Sequence, residues 1–382
     1  MKERVLLIVA APFVPWHGVS LRTRHTAMAL AALGYQVDLL ALAGGTLPEI
    51  PGVRIRRTGR VPFLSAVRKD GVSTWWVYRM LLVLRTLSMV VGVRYRFVHG
   101  VDGAWPSAWL AARICGAHLI YEHCEARAGE ARTPRQRFIM KRAAAVITAD
   151  RLVVSQMRSL GRESRACLIS DTPGTWQEDE AIGSSIDIRD GMGVAPSVLV
   201  VTYVGSLRKH QGVDLLFNAL PILRRDLPKF TMIIVGGTAQ EISRAQGLLQ
   251  KAGVDDAVIF TGQVPTDSLV AIMAASDILV APRRHGWRAP IKVLDYMLAG
   301  KAIVATDCAA NRNVLTDECA LLVPGEAAAF ARAITLLGRD TSRRLAMGKA
   351  ARGHVLNEFS FGAFQEGLRR CYTYVDIKDS NR

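Results

Sequence analysis

No Cys-x-x-Cys spacing occurs anywhere in the 382 residues, whose six cysteines are scattered at 115, 124, 167, 308, 319 and 371. That absence excludes the usual zinc framework, and the scatter argues against a disulfide-built scaffold. Such thiols are expected to be buried or incidental, in a reducing compartment. Nor does any stretch reach the roughly 20 uninterrupted apolar residues that span a bilayer. The nearest, residues 75–93, is broken by Arg79 and Arg85. No Asp-x-Asp run of the kind that holds a divalent metal stands in a strand-end loop, so no metal is expected. Acid is scarce in one half only. Residues 1–170 hold 25 Lys and Arg against 10 Asp and Glu, a net of +15 out of +16 for the whole chain. Such an excess would be drawn to anionic lipid or nucleic acid, although a solvated Arg-rich surface has the same composition.

Half of the residues are apolar and 21% are charged, which is globular composition. The length exceeds one ordinary core and suits two domains. The start, MKERVLLIVAAPFVP, has basic residues before an apolar run, as a signal peptide does. Its apolar part is short and leads directly into a loop and an amphipathic helix, so a first β-strand is the more economical reading. Strands are expected at residues 4–10, 35–41, 53–57, 97–100, 117–121, 144–148 and 166–170, with helices at 21–33, 75–92, 104–115 and 134–143. Repeated strand–helix units with apolar strands predict a parallel sheet covered on both faces.

The polar stretch SDTPGTWQEDEAIGSSIDIRDGMGVAP interrupts this alternation and reads as a linker. Strands then follow at 198–204, 231–235, 258–261, 278–281 and 302–305, with helices at 213–224, 241–252, 267–274, 326–337 and 341–356. An amphipathic tail covers 361–374. The predicted fold is α/β: two Rossmann-like domains facing a cleft, with ligands at the carboxyl ends of the strands. The boundaries are 1–172 for an N-terminal acceptor-side domain, 173–196 for the linker and 197–357 for the C-terminal domain. A C-terminal helix and tail, 358–382, would cross back to the N-terminal domain.

The stretch APRRHGWRAPIKVLDYMLAG, residues 281–300, carries the strongest local signal. A basic loop with Arg283, Arg284, His285 and Arg288 precedes Pro290, a residue favoured at the first helical position. An apolar helix follows and stops at Gly300. The unpaired N–H groups at its start, with the macrodipole, suit an anion. Asp295, one turn on, would repel a phosphate but accept from sugar hydroxyls. A site holding phosphate and pentose together reads as a nucleotide site.

Taken in order, the pieces PFVPWHGVSLRTRH, LIYEHCE, YVGSLRKHQGVDLL, TGQVP, APIKVLDYMLAGKAIVATD and LLVPGE resemble a GT-B glycosyltransferase of the retaining family 4 type. The resemblance covers nearly the whole chain. It implies roles for particular residues. Gly18 would let backbone approach a diphosphate. His123, at a strand end, would sit beside the reacting sugar, with His99 in reserve. Arg208 and Lys209 would neutralise diphosphate, Val264 would offer backbone to the base, and Ile291, Lys292 and Asp295 would hold phosphate and ribose. The sequence departs from the family where Ser206 and Gln211 stand in place of the usual Arg and Lys. Trp287 replaces the first Glu of a paired-Glu motif, and Asn313 stands where a Glu is frequent.

The expected activity is metal-independent, retaining transfer of sugar from a nucleoside diphosphate donor, without a further cofactor. The expected acceptor is a glycan or lipid-linked molecule. The expected location is cytoplasmic, peripheral on the inner face of an anionic membrane, with no nucleic acid partner. A helix within residues 75–92, with Trp75, Trp76 and Tyr78 beside Arg79 and Arg85, could lie at such an interface or pack within its domain. A soluble natural-product acceptor, a non-catalytic partner subunit and a sugar-nucleotide epimerase remain open alternatives.

Overall fold

A computed structural model describes residues 2–13, 17–45, 49–59, 72–124, 133–176, 188–286 and 288–380. The chain divides into two compact units, Met1–Asp171 with Phe361–Arg382, and Thr172–Ser360.

The first unit contains β1 (Arg4–Phe13), α1 (Gly18–Ala32), β2 (Gln36–Gly45), β3 (Val53–Arg57), α2 (Val72–Val90), β4 (Phe97–Val101) and α3 (Trp105–Cys115). It continues with β5 (His118–His123), α4 (Pro134–Arg142), β6 (Ala145–Thr148), α5 (Arg151–Ser159) and β7 (Ala166–Leu168). These strands form one parallel sheet in the order β3-β2-β1-β4-β5-β6-β7. The initial apolar run is thus a central strand. Its residues Val5 to Ile8 are fully enclosed, with β2 on one side and β4 on the other.

The second unit contains α6 (Ile188–Gly191), β8 (Leu199–Val204), α7 (Val213–Asp226), β9 (Phe230–Val235), α8 (Ala239–Lys251), β10 (Val258–Gly262) and α9 (Thr266–Ala275). After these come β11 (Ile278–Ala281), α10 (Ile291–Leu298), β12 (Ala302–Thr306), α11 (Ala309–Arg312), β13 (Ala320–Val323), α12 (Ala327–Arg339) and α13 (Thr341–Glu358). The sheet runs β10-β9-β8-β11-β12-β13, again parallel. In each sheet the strand order reverses once, beside β1 and β4 in the first and beside β8 and β11 in the second. Ligands of open parallel sheets bind outside the carboxyl ends of the strands at such a point.

The last helix, α14 (Phe361–Ser380), belongs to the first unit. Phe364, Leu368, Cys371, Tyr372 and Val375 join the core that includes Val5, Leu7 and Phe97. Those positions recur every three or four residues, which places one apolar stripe on the sheet.

Several expectations need correction. The predicted linker is not a free connector at its ends. Thr172, Thr175 and Val194 are buried, and Trp176, Ile188 and Met192 pack against the second unit's core. Its middle, 177–187, lies outside the described residues. Helix α1 starts at Gly18, three residues before the apolar periodicity begins, because its first turn buries Ser20 instead of an apolar side chain. Pro290 is the N-cap of α10 with extended backbone, and Ile291 is the first helical residue. Helix α5 was not anticipated; its signal is Asp150, whose carboxylate accepts the Leu152 N–H as an N-cap. Strand β13 was hidden in the LLVPGE piece.

Candidate active site

The reversal point of the second sheet gathers the end of β8, the end of β11 and the start of α10. Gly205 follows β8 with φ +142, a region that favours glycine. A Cβ there would stand 3.0 Å from Lys292 Nζ and 3.0 Å from the Tyr203 hydroxyl. Gly212 has a parallel reason to be glycine, since its Cβ would fall 1.9 Å from the Pro282 carbonyl oxygen. These two contacts draw the 205–212 loop against the chain that leads into α10.

Lys292 projects from the first turn of α10 towards β8. Its Nζ donates to Gln211 Oε1 at 3.1 Å and to the Tyr203 hydroxyl at 3.3 Å. It also lies 4.3 Å from the centre of the Tyr203 ring. The Tyr203 hydroxyl in turn donates to the Ser206 carbonyl, and burial pushes its ionisation well above the usual range. No carboxylate pairs with Lys292 among the described residues. Burial first, and then the positive charge of Arg283, pull the ammonium down to about 7. One turn further on, Tyr296 faces the same strand and its hydroxyl accepts the Val204 N–H at 2.8 Å.

The backbone at this point supports the same chemistry. The Val293 N–H is taken by the Pro290 carbonyl at 2.9 Å. The N–H groups of Ile291 and Lys292 precede the first possible helical acceptor. Two open amides and an ammonium therefore meet at one end of one helix.

The other expected donor residues are placed differently. Arg208 and Lys209 are exposed, and Arg208 Nε lies 3.7 Å from Glu241 Oε1. Val264 sits half-buried between β10 and α9. Asp295 is only 6% exposed, and its Oδ1 accepts both the N–H and the hydroxyl of Thr175 at 2.9 Å. It lines a pocket of about 220 Å³ with Thr175, Val270, Met273, Ala274, Leu298, Ala299 and Arg352. Lys292 and Asp295 thus share a helix, one recorded against Tyr203 and Gln211 and the other against Thr175. Trp287 lies outside the described residues.

In the first unit, His123 closes β5 and is 5% exposed. Its Nδ1 is 3.1 Å from the Tyr121 hydroxyl and 3.4 Å from Asp102 Oδ1. Asp102 follows β4 with φ +41, and its Oδ1 accepts the Cys124 N–H at 2.7 Å. A positive φ outside glycine is tolerated best by residues such as Asp, and here it aims the carboxylate at the end of the next strand. The sequence reading missed Asp102; an Asp-Gly pair directly after an apolar strand was the available signal. Gly18 opens α1 after the extended N-cap His17. His99, the reserve candidate, is not at a strand end. It is fully buried within β4, with Nδ1 2.9 Å from the Tyr372 hydroxyl and Nε2 3.1 Å from Glu122 Oε2. It serves a buried charge network, not a ligand.

Two parallel-sheet α/β units of seven and six strands match the GT-B architecture. Two family descriptions match: "Glycosyl transferase 4-like domain" over residues 17–171 and "Glycosyl transferases group 1" over residues 198–340. The chain belongs to the group 1, family 4 type of GT-B glycosyltransferases. It is 25% identical to a D-inositol 3-phosphate glycosyltransferase of Nocardia farcinica, over 93% of this chain and 84% of that protein. It is 30% identical to a phosphatidyl-myo-inositol mannosyltransferase of Mycobacterium leprae, over 56% of this chain and 59% of the other. Among solved structures it resembles Anabaena HepE in complex with UDP. There the TM-score is 0.74 and the identity 18%, over 98% of this chain and 100% of that one.

Proposed function

We propose that the protein is a metal-independent, retaining glycosyltransferase that uses a nucleoside diphosphate sugar. The observation that carries the donor is Lys292, an ammonium without a carboxylate at the amide-lined start of α10. A diphosphate placed there would meet Lys292 and the N–H groups of Ile291 and Lys292, with Arg208 and Lys209 at the rim. Val264 would contact the base through backbone, and Asp295, its rotamer fixed by Thr175, would take the pentose.

Preorganised positive charge at the leaving phosphate lowers the barrier where negative charge develops. In the retaining course implied by the family, the leaving phosphate itself accepts the acceptor's proton on the same face. His123 would lie beside the sugar. The Tyr121 hydroxyl and Asp102 both face Nδ1 and would hold the ring in place beside it.

We assign the acceptor to a lipid-linked or glycan molecule at an anionic membrane surface. Trp76, Met80, Leu84 and Val91 on α2 and just beyond are 52%, 63%, 59% and 74% exposed. They recur on one face, and Arg85 and Arg94 are exposed near them. An apolar stripe with basic anchors, on the half of the chain that carries +15, fits anionic headgroups. The mannosyltransferase relative is named for a phosphatidyl-inositol acceptor. A soluble phosphorylated acceptor is the second reading, favoured by the inositol 3-phosphate named for the Nocardia relative. No helix among the described residues is long and apolar enough to cross a membrane.

The test is transfer from UDP- and GDP-sugars to lipid and soluble inositol acceptors, with the product anomer read by NMR. Retention of configuration without added metal is expected; inversion, or strict dependence on a divalent ion, would overturn the mechanism. Sedimentation with anionic but not neutral vesicles at low salt is expected, and its absence would favour the soluble acceptor.

A further inference from the structure

A buried amine ordinarily has a carboxylate within reach, because charge without a partner is costly away from water. Lys292, half-buried, has no carboxylate among its recorded hydrogen-bond partners. From β8 it meets Tyr203, held un-ionised by burial, and from the 205–212 loop the uncharged amide of Gln211. From the loop after β11 it feels Arg283. On its own helix Tyr296 is buried and held un-ionised, while Asp295 is engaged by Thr175. The nearby Glu241 is paired with Arg208. An ammonium has three N–H donors, and two acceptors are recorded for this one.

The family's lysine would stand at position 211, where the chain has Gln211. The structure returns an amine to that place from another element, since Lys292 Nζ touches the Gln211 side chain. The replacement is not equivalent. A lysine at the rim would be solvated and permanently charged, whereas this one lies half-buried over the Tyr203 ring and beside Gly205.

We propose that Lys292 is the diphosphate's counter-ion and that, above neutral pH, nucleotide anion and one proton bind to this site together. This rests on the donor reading given above and adds a regulatory consequence to it. With the amine titrating near 7 in the free protein, an adjoining diphosphate raises its affinity for protons. The sign follows from linkage. Below that range the amine is charged beforehand and binding is strongest. As pH rises through the gap between the free and the bound form, affinity falls by up to about tenfold per pH unit. The enzyme would therefore hold its donor, and its diphosphate product, less tightly in alkaline conditions.

The experiment is isothermal titration of the full-length protein with UDP and with GDP, from about pH 7.5 to about pH 9.5, in two buffers of different ionisation enthalpy. A terminal phosphate titrates near about pH 6, outside this window. Uptake approaching one proton per nucleotide is expected in the wild-type protein. K292R, whose guanidinium stays charged, is expected to bind with no uptake and a flat pH profile. K292M is expected to bind about 10–100-fold more weakly, as loss of charge-assisted hydrogen bonds predicts. Adding Q211K to it should restore affinity without restoring uptake. H210Q, which removes the imidazole beside Gln211, should keep the uptake. Tight binding without proton uptake in the wild-type protein would overturn the proposal and leave the donor reading standing. Absence of binding for both nucleotides at every pH would overturn the donor reading and the proposal with it.

Discussion

The two units handle buried charge in opposite ways. In the first, Arg22 is 1% exposed and satisfied on every side. Its Nε donates to Glu122, its Nη1 to Asp171 at 2.8 Å, and its Nη2 to the Ile169 carbonyl at 3.1 Å. Glu122 is also approached by His99, which is joined to Tyr372 of α14. Burial alone would raise the Glu122 carboxyl, yet Arg22 and His99 override it and hold the group at about 2. In the second unit Lys292 has neutral acceptors and a neighbouring cation. A closed network fastens elements together, here α1, β5 and the C-terminal helix. An open one, in the donor reading proposed above, would be completed by a ligand.

The largest expected effect tests the closed side. Arg22→Met strands Glu122 and Asp171 as buried carboxylates and should destabilise the first unit by about 3–5 kcal/mol. Denaturant melts that match those of the wild-type protein would show that the network carries no stability. Lys292→Met should do the reverse in the absence of ligand. Replacing a half-buried amine that has no carboxylate partner by an apolar side chain of similar length should be neutral or stabilising, while the thermal shift given by UDP should shrink or vanish. A marked drop in the melting temperature without ligand would mean that the open network is structural.

Acid and alkali sharpen the contrast. His25 is kept neutral by burial, with Arg24 adding to the effect, and is pulled down to about 3. The unfolded chain binds that proton at higher pH, so this contribution is present above about pH 6.5 and is lost as pH falls towards 3. The contribution of Glu122 is present above its ordinary range and is lost as pH falls towards 2. Lys292 acts in the same direction, but in an alkaline window. Between about 7 and its ordinary value the unfolded chain holds the extra proton, so the second unit gains stability as pH rises through that interval. Hydrogen exchange should therefore show the first unit less protected at pH 4 than at pH 7, and no loss of protection in the second unit from Lys292 at pH 9. The smallest effect is expected for Thr175→Val, which removes one hydrogen bond to Asp295 and should cost about 0.5–1.5 kcal/mol. If Asp295 takes the pentose, Asp295→Ala should weaken UDP binding and leave inorganic pyrophosphate unaffected.

The positions of most strands and helices were legible because parallel strands buried on both faces are short apolar runs, and the helices between them have a 3.6-residue period. The need for glycine at Gly205 and Gly212 was not legible, because it comes from Lys292, Tyr203 and Pro282 approaching in the fold. The order of the motifs carried the family. By contrast, nothing local in the sequence brings Lys292 to Gln211, 81 residues apart, or Arg22 to Asp171, 149 residues apart.

The chain therefore determined by itself its element pattern, its excess of positive charge in one half and the amide-rich start of α10. All of these follow from local periodicity and composition. Only the tertiary structure decided which charges are spoken for. His99 and Glu122 are drawn into a closed network and Lys292 is left open, because pairing depends on which strand ends the sheet order sets side by side.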